Sequence, residues 1–182
     1  MRKLVASINM SLDGFCDHTA AIADAELHQH YTDLLRNAGS LLYGRITYQM
    51  MESYWPTLVK NPSGVKADDD FARAIQDIPK IVFSRTMKNI GWKNASLATN
   101  SLEVEVQKLR QQNGRDILVG SPSLVAALTK LKLFDEYQLC IHPVIAGSGL
   151  PLFKGIDEKI ILNLKRTKNF KSGQSLHYYE PS

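Results

Sequence analysis

Three short stretches run from an apolar segment into a helical pattern through residues that suit an anion. The first is Leu41-Leu42-Tyr43-Gly44-Arg45-Ile46-Thr47. Gly44 permits a sharp turn and a close backbone approach. Arg45 puts a cation at a helix N-terminus, where the dipole disfavours it unless an anion is bound. Thr47 offers a hydroxyl to a ligand or to the helix cap. The second is Ile81-Val82-Phe83-Ser84-Arg85-Thr86, with two hydroxyls around a guanidinium whose planar fork matches phosphate oxygens. The third is Asp116-Ile117-Leu118-Val119-Gly120-Ser121-Pro122-Ser123-Leu124, where Gly120 turns the chain, Ser121 takes the N-cap position and Pro122 the first helical position. Pro122 removes only an N–H that the helix does not use, so the N–H groups of Ser123 and Leu124 remain available. Each corner alone also fits a purely structural turn or a capped helix. Together they put two arginines and several hydroxyls at strand ends, which suits a ligand with more than one phosphate.

The elements that position these corners follow from periodicity. Residues 3–9 read as a strand rather than a targeting segment, because Ser7 and Asn9 interrupt the apolar run. Residues 11–16 form an Asp-Gly loop. A helix is expected over 23–39, with Asp24 capping it, Leu27, Tyr31, Leu34 and Leu35 on one face, and Gly39 ending it. A buried strand at 40–44 leads into a helix at 45–55 that Pro56 closes. The polar stretch 57–70, with three consecutive aspartates, reads as a flexible loop before a short helix at 71–78. Strands follow at 80–84 and near 96–98, a helix at 101–114, a strand at 116–120 and a helix at 122–131. Residues 136–147 read as a long strand whose Pro143 implies an edge or a bulge. Segments 159–170 and 175–180 read as a closing hairpin. Alternation of strands and helices, then strands alone, predicts an α/β fold. It has a mostly parallel central sheet, helices on both faces and an antiparallel C-terminal hairpin.

The 182 residues suit one domain, 1–182, with ordinary hydrophobic (44%) and charged (22%) fractions. The net charge of +4 comes from scattered residues with no basic tract, so nucleic acid is not the expected partner. No apolar run is long enough to cross a membrane. Cys16 and Cys140 are read as free thiols in a cytoplasmic protein. His28 and His30, two apart, do not share a helix face, so no metal site is expected. His142 reads as a packed strand histidine at the ligand edge. Trp55 and Trp92 serve either core packing or a flat-ring pocket.

The three corners, in this order and spacing, resemble the cofactor-binding corners of the dihydrofolate reductase fold. "SLDGF" near the start and "DEYQLCIHPVIAGSGLPLF" near the end are similar to the reductase domain of bacterial riboflavin biosynthesis and its stand-alone relatives. The resemblance covers the chain from Arg2 to Pro181. It implies a three-layer dihydrofolate reductase-like fold, binding of NADPH, hydride transfer to a small heterocyclic or carbonyl substrate, and a homodimer. Gly44, Arg45 and Thr47 would face the pyrophosphate and adenosine, and Ser84, Arg85 and Thr86 the 2′-phosphate. Gly120, Ser121, Ser123 and Leu124 would face the pyrophosphate, and strand-one residues including Ala6 and Ile8 would back the nicotinamide. Asp13 is the best placed of several acids to act catalytically, the others being on the helix with Asp24, Glu26, His28 and His30. A nucleotide-binding protein without reductase activity is the alternative.

Overall fold

The computed structural model describes residues 1–16 and 24–182. The elements run β1 (Leu4–Ser11), α1 (Ala25–Asn37), β2 (Ser40–Gly44), α2 (Arg45–Lys60), α3 (Lys66–Asp77), β3 (Lys80–Phe83), β4 (Ala95–Leu97), α4 (Leu102–Gln111), β5 (Ile117–Val119), α5 (Pro122–Lys130), β6 (Glu136–His142), β7 (Leu162–Asn169) and β8 (Ser175–Pro181). The strands hydrogen-bond in the order β4-β3-β2-β5-β1-β6-β8-β7, an eight-stranded, mostly parallel α/β sheet in which β6, β8 and β7 pair antiparallel. The chain divides into two compact units, Met1–Arg2 with Ala23–Leu118, and Lys3–Ile22 with Val119–Ser182.

In the first unit β2, β3 and β4 pair in parallel, Leu42 opposite Ile81 and Gly44 opposite Phe83. β2 is buried along its whole length, as its apolar run requires. α1 starts where Asp24 accepts the Leu27 N–H at 2.8 Å, as the sequence anticipates; the expected first residue, Ala23, lies outside the described residues. Gly39 does not supply a left-handed turn: the helix ends at Ala38 in extended backbone. Its role is close approach. A Cβ there would lie 2.7 Å from Arg2 Nη2 and 2.8 Å from the Arg115 carbonyl oxygen. The buried Arg2 guanidinium fills that space, donating to the Arg115 carbonyl and, at 2.8 Å, to Ser40 Oγ. Gly39→Ala is therefore expected to destabilise the fold by about 2 kcal/mol. Urea unfolding measures this, and an unchanged midpoint would mean that Arg2 is not held there.

Two expectations fail between residues 56 and 70. Pro56 does not close α2, which runs on to Lys60, and Asn61 N–H still donates to the Thr57 carbonyl at 2.9 Å. The proline removes one rung, the bond to the Glu52 carbonyl, and the helix continues on the rungs to either side. The three aspartates are not in a loop but in α3, and each has a partner. Asp68 meets His28 Nδ1 at 2.6 Å. Asp69 accepts from the Ser63 N–H and hydroxyl and from Gly64 N–H. Asp70 takes the Lys66 ammonium and, at 2.6 Å, Arg73. Asp68 and Asp69 also lie in the first turn, where the helix dipole favours a negative charge. Lys80 of β3, only 1% exposed, closes the end of α3; its ammonium donates to the carbonyls of Ile75, Gln76 and Ile78 at 2.8, 3.1 and 2.8 Å. The same Nζ lies 4.5 Å from the centroid of the buried Trp92 ring.

In the second unit β1 and β6 pair in parallel from Val5–Glu136 to Ser11–His142, and β6, β8 and β7 pair antiparallel. β6 is thus an interior strand, not an edge. It stops at His142, so Pro143 lies beyond the ladder and needs no bulge; the Val144 N–H turns back onto the His142 carbonyl at 2.8 Å. β7 is the edge strand, mostly exposed, with an irregularity between Leu164 and Arg166. Lys165 pairs with Glu180 at 3.0 Å, and the Arg166 guanidinium lies 3.7 Å over the Tyr178 ring.

Candidate active site

The first unit brings two of the three corners together. Gly44 and Phe83 are register partners in parallel neighbouring strands. The residues that follow them, Arg45 and Ser84-Arg85-Thr86, therefore leave the sheet side by side at its carboxyl edge, where ligands of open α/β sheets bind. Gly44 is the N-cap of α2 and provides no side chain, and Thr47 lies inside the helix rather than capping it. Arg45 is exposed and donates along the helix to Gln49 Oε1 at 3.1 Å. Ser84 Oγ accepts the N–H groups of Thr86 (3.2 Å) and Met87 (2.9 Å), which folds the corner and leaves its own O–H to donate. Among the described residues Arg85, exposed in this corner, has no hydrogen-bond or ion-pair partner.

A residue the sequence did not single out anchors this corner. Tyr48 is fully buried; its hydroxyl donates to Glu52 Oε1 at 2.6 Å and accepts the Trp92 N–H at 3.2 Å. Its place three residues after Arg45, on the inner face of α2, is the only trace of this in the sequence.

The second unit holds the third corner. Ser121 is at the N-cap and Pro122 opens α5, as expected, but the Ser121 side chain makes no capping bond. The Ser121 carbonyl accepts the Val125 N–H at 2.9 Å, so the helix proper begins there, and the first-turn N–H groups of Ser123 and Leu124 take nothing from that hydroxyl. Ser121 and Leu124 are buried and Ser123 is exposed. Ala6 and Ile8 have buried side chains, so only their backbone can be offered to a ligand.

Asp13 follows β1. Its Oδ1 accepts from the Ser11 hydroxyl (2.6 Å) and the Ala146 N–H (3.0 Å), and its Oδ2 accepts the Gly147 N–H at 2.7 Å. The Ser11 hydroxyl first, then these amides, hold the carboxyl below its ordinary 3.8, at about 2. Neighbouring backbone bonds, Leu12 N–H to Val144 and Cys16 N–H to Leu150, both 2.8 Å, stitch the same two loops. A proton donor at neutral pH needs a raised pKa; that of Asp13 is lowered, by bonds whose geometry is that of a clamp. A carboxyl depressed on folding contributes stability in full above about 3.8 that is lost as pH falls through about 2. Asp13→Asn is expected to lower the exchange protection factors of the Ala146 and Gly147 amides about tenfold and to abolish the pH dependence of those factors in that window. Unchanged exchange would refute the clamp. Beyond it, His142 is 1% exposed with Nε2 3.1 Å from Asn9 Oδ1, and burial lowers its pKa. The expectation of a packed strand histidine holds. Cys16 and Cys140 are both free thiols. No helix among the described residues is long and apolar enough to cross a membrane.

The RibD C-terminal domain family matches residues 2–178, nearly the entire chain. The chain belongs to that family. This RibD-type domain is 33% identical over 176 residues to the uncharacterized protein YyaP of Bacillus subtilis (strain 168), covering 94% of this chain and 91% of that one. In structure it resembles the diaminohydroxyphosphoribosylaminopyrimidine deaminase/5-amino-6-(5-phosphoribosylamino)uracil reductase of Thermotoga maritima, with a TM-score of 0.68 and 18% identity. All of this chain is matched there, against 57% of the longer bifunctional protein. It also resembles the dihydrofolate reductase of Enterococcus faecalis solved with NADP(H) and RAB-propyl (TM-score 0.64, 12% identity, covering 99% and 96%). The fold of this RibD-type domain is therefore the dihydrofolate reductase-like one.

Proposed function

We propose that this RibD-type domain is an NADPH-dependent reductase acting on a small, flat heterocyclic or carbonyl substrate. The observation that carries the reading is the Gly44–Phe83 pairing, which sets Arg45 beside Ser84-Arg85-Thr86 with the Arg85 fork uncommitted. The residues fit the cofactor. Arg85, with the Ser84 and Thr86 hydroxyls, suits a phosphate monoester such as the 2′-phosphate. Gly44, Arg45 and Thr47 suit the adenosine side. Gly120, Ser121, Ser123 and Leu124 offer N–H groups and hydroxyls to the pyrophosphate, and the backbone at Ala6 and Ile8 suits the nicotinamide. When bound, NADPH supplies the hydride; the protein's part is to bind, orient and exclude water. The complex NADP(H) forms with the Enterococcus enzyme supports the same choice of cofactor.

Calorimetric titration tests the reading. Wild-type protein is expected to bind NADPH at least tenfold more tightly than NADH, and equal affinity would refute the 2′-phosphate assignment. A second reading, a non-catalytic NADP(H)-binding protein, is favoured by one observation: the Asp13 carboxyl is held below its ordinary range by Ser11 and the Ala146 and Gly147 amides. Tight NADPH binding without turnover of any pterin, pyrimidine or carbonyl acceptor would support it.

A further inference from the structure

The second unit contains a cavity of about 160 Å³ between the last turn of α5, the start of β6 and the segment that leads into β7. Thr129, Tyr137, Phe153, Ile156, Ile160 and Leu162 line it. Thr129 and Tyr137 are buried and form its floor. Phe153 is exposed and the three aliphatic side chains are half-buried, so these four form its mouth. The Phe153 ring meets the Tyr137 ring at 6.4 Å and 63°, edge to face rather than stacked. The outer wall is tied down along its length. The Leu152 N–H donates to the Gly14 carbonyl at 3.1 Å, and the Ser182 N–H to the Ile161 carbonyl at 3.1 Å. Between them Glu158 pairs with Lys132 at 2.9 Å. These bonds hold the wall off the floor. The cavity lies at the other end of α5 from the corner at Ser121, roughly 10 Å along the helix.

The lining decides what such a space can take. Close-packed interiors hold few voids of this size, because the wall atoms forfeit contacts across them. Water needs two to four polar partners, and here it would find only the Thr129 and Tyr137 hydroxyls, already bonded to each other at 3.1 Å. An apolar cavity of about 150 Å³ is large enough for benzene, so one aromatic ring matches this volume. One polar feature narrows the class. The Tyr137 hydroxyl donates to Thr129 Oγ1, and the O–H of Thr129 itself has no acceptor among the described residues. The floor therefore offers a ligand one hydrogen-bond donor and no charge. A carboxylate would exchange its hydration for that single hydroxyl, which disfavours it. The nearest cations do not line the space: Lys132 is paired with Glu158, and the Lys130 ammonium stands against Gly155. We propose that this cavity binds a single-ring aromatic compound bearing one uncharged oxygen. Phe153, Ile156, Ile160 and Leu162 hold the ring, and the oxygen accepts from the Thr129 hydroxyl. The site is separate from the three cofactor corners and does not depend on the reductase reading.

The test uses the full chain without cofactor and two probes of one shape, anisole and ethylbenzene, which differ by an ether oxygen. Both are expected to move the methyl resonances of Ile156, Ile160 and Leu162, with Kd below about 1 mM. Thr129→Val is expected to weaken anisole about fivefold and to leave ethylbenzene unchanged, which also shows that the variant keeps its cavity. Ile156→Trp fills the mouth and is expected to abolish binding of both. In the wild type the anisole methoxy protons are expected to show a nuclear Overhauser effect to the Thr129 methyl, a reading that needs no variant. Methyl resonances that neither probe moves, or undiminished binding by Ile156→Trp, overturn the site. Equal weakening of both probes in Thr129→Val, no Overhauser effect at Thr129, or benzoate binding more tightly than anisole overturns the assigned ligand class.

Discussion

Arg85→Ala is expected to bring NADPH and NADH to nearly equal affinity, with NADPH weakened about 30-fold and NADH unchanged. Two hydrogen bonds between a guanidinium and a phosphate are worth about 2 kcal/mol net at an exposed site, and ~1.4 kcal/mol is tenfold. The corner offers the fork no competing carboxylate, so the whole of that term depends on the ligand. Arg85→Lys is expected to keep part of the preference, since an ammonium supplies the charge without the planar fork. The preference is also expected to shrink as salt rises, as screening of an exposed pair requires. Isothermal titration of both cofactors at two ionic strengths checks all three results. NADPH affinity that ignores the substitution would move the 2′-phosphate elsewhere.

Lys80→Met is expected to cost about 4 kcal/mol of folding stability without altering cofactor selectivity. The side chain keeps its length but loses the ammonium that satisfies the Ile75, Gln76 and Ile78 carbonyls. Each acceptor left buried without a donor costs ~1–3 kcal/mol, and the contact with Trp92 is lost as well. In a chain of this size that lowers Tm by roughly 10 °C. The pH dependence gives a second signature. Burial draws the Lys80 ammonium from 10.5 down to about 8, so between these values the unfolded chain holds more protons than the folded one. The Lys80 contribution therefore grows as pH rises through that window. The margin between wild type and variant is expected to widen from pH 8 to 10 in urea titrations; a constant margin would contradict the depressed pKa.

Much of the site could be read from local chemistry. Gly44-Arg45 and Ser84-Arg85 are adjacent because short apolar runs become parallel strands, a pattern plain in the sequence. Pro122 at the first helical position is equally local. What escaped reading depends on partners far along the chain. Asp68, Asp69 and Asp70 look like a solvated run, yet each has a partner, His28 for Asp68, the turn at Ser63-Gly64 for Asp69, and Lys66 and Arg73 for Asp70, so a helix forms where a loop is expected. Pro56 looks like a stop, but it costs one rung in a helix held by the burial of Tyr48 and the packing of Trp55. Asp13 reads as an acid in a loop near the site. Only the fold reveals that Ala146 and Gly147, more than 130 residues away, bring their amides to it.

The edge strand β7 has a bearing on the behaviour of this protein at high concentration. Its outer row of backbone donors and acceptors is unused by β8, and such a row is an invitation to another chain. Here the row is broken by the slip between Leu164 and Arg166 and flanked by Lys165, Arg166 and Lys168. Two copies meeting edge to edge would set cation against cation across a misaligned ladder. This edge of the sheet is thereby guarded against lengthening into fibres, and that guard weakens as salt screens the charges.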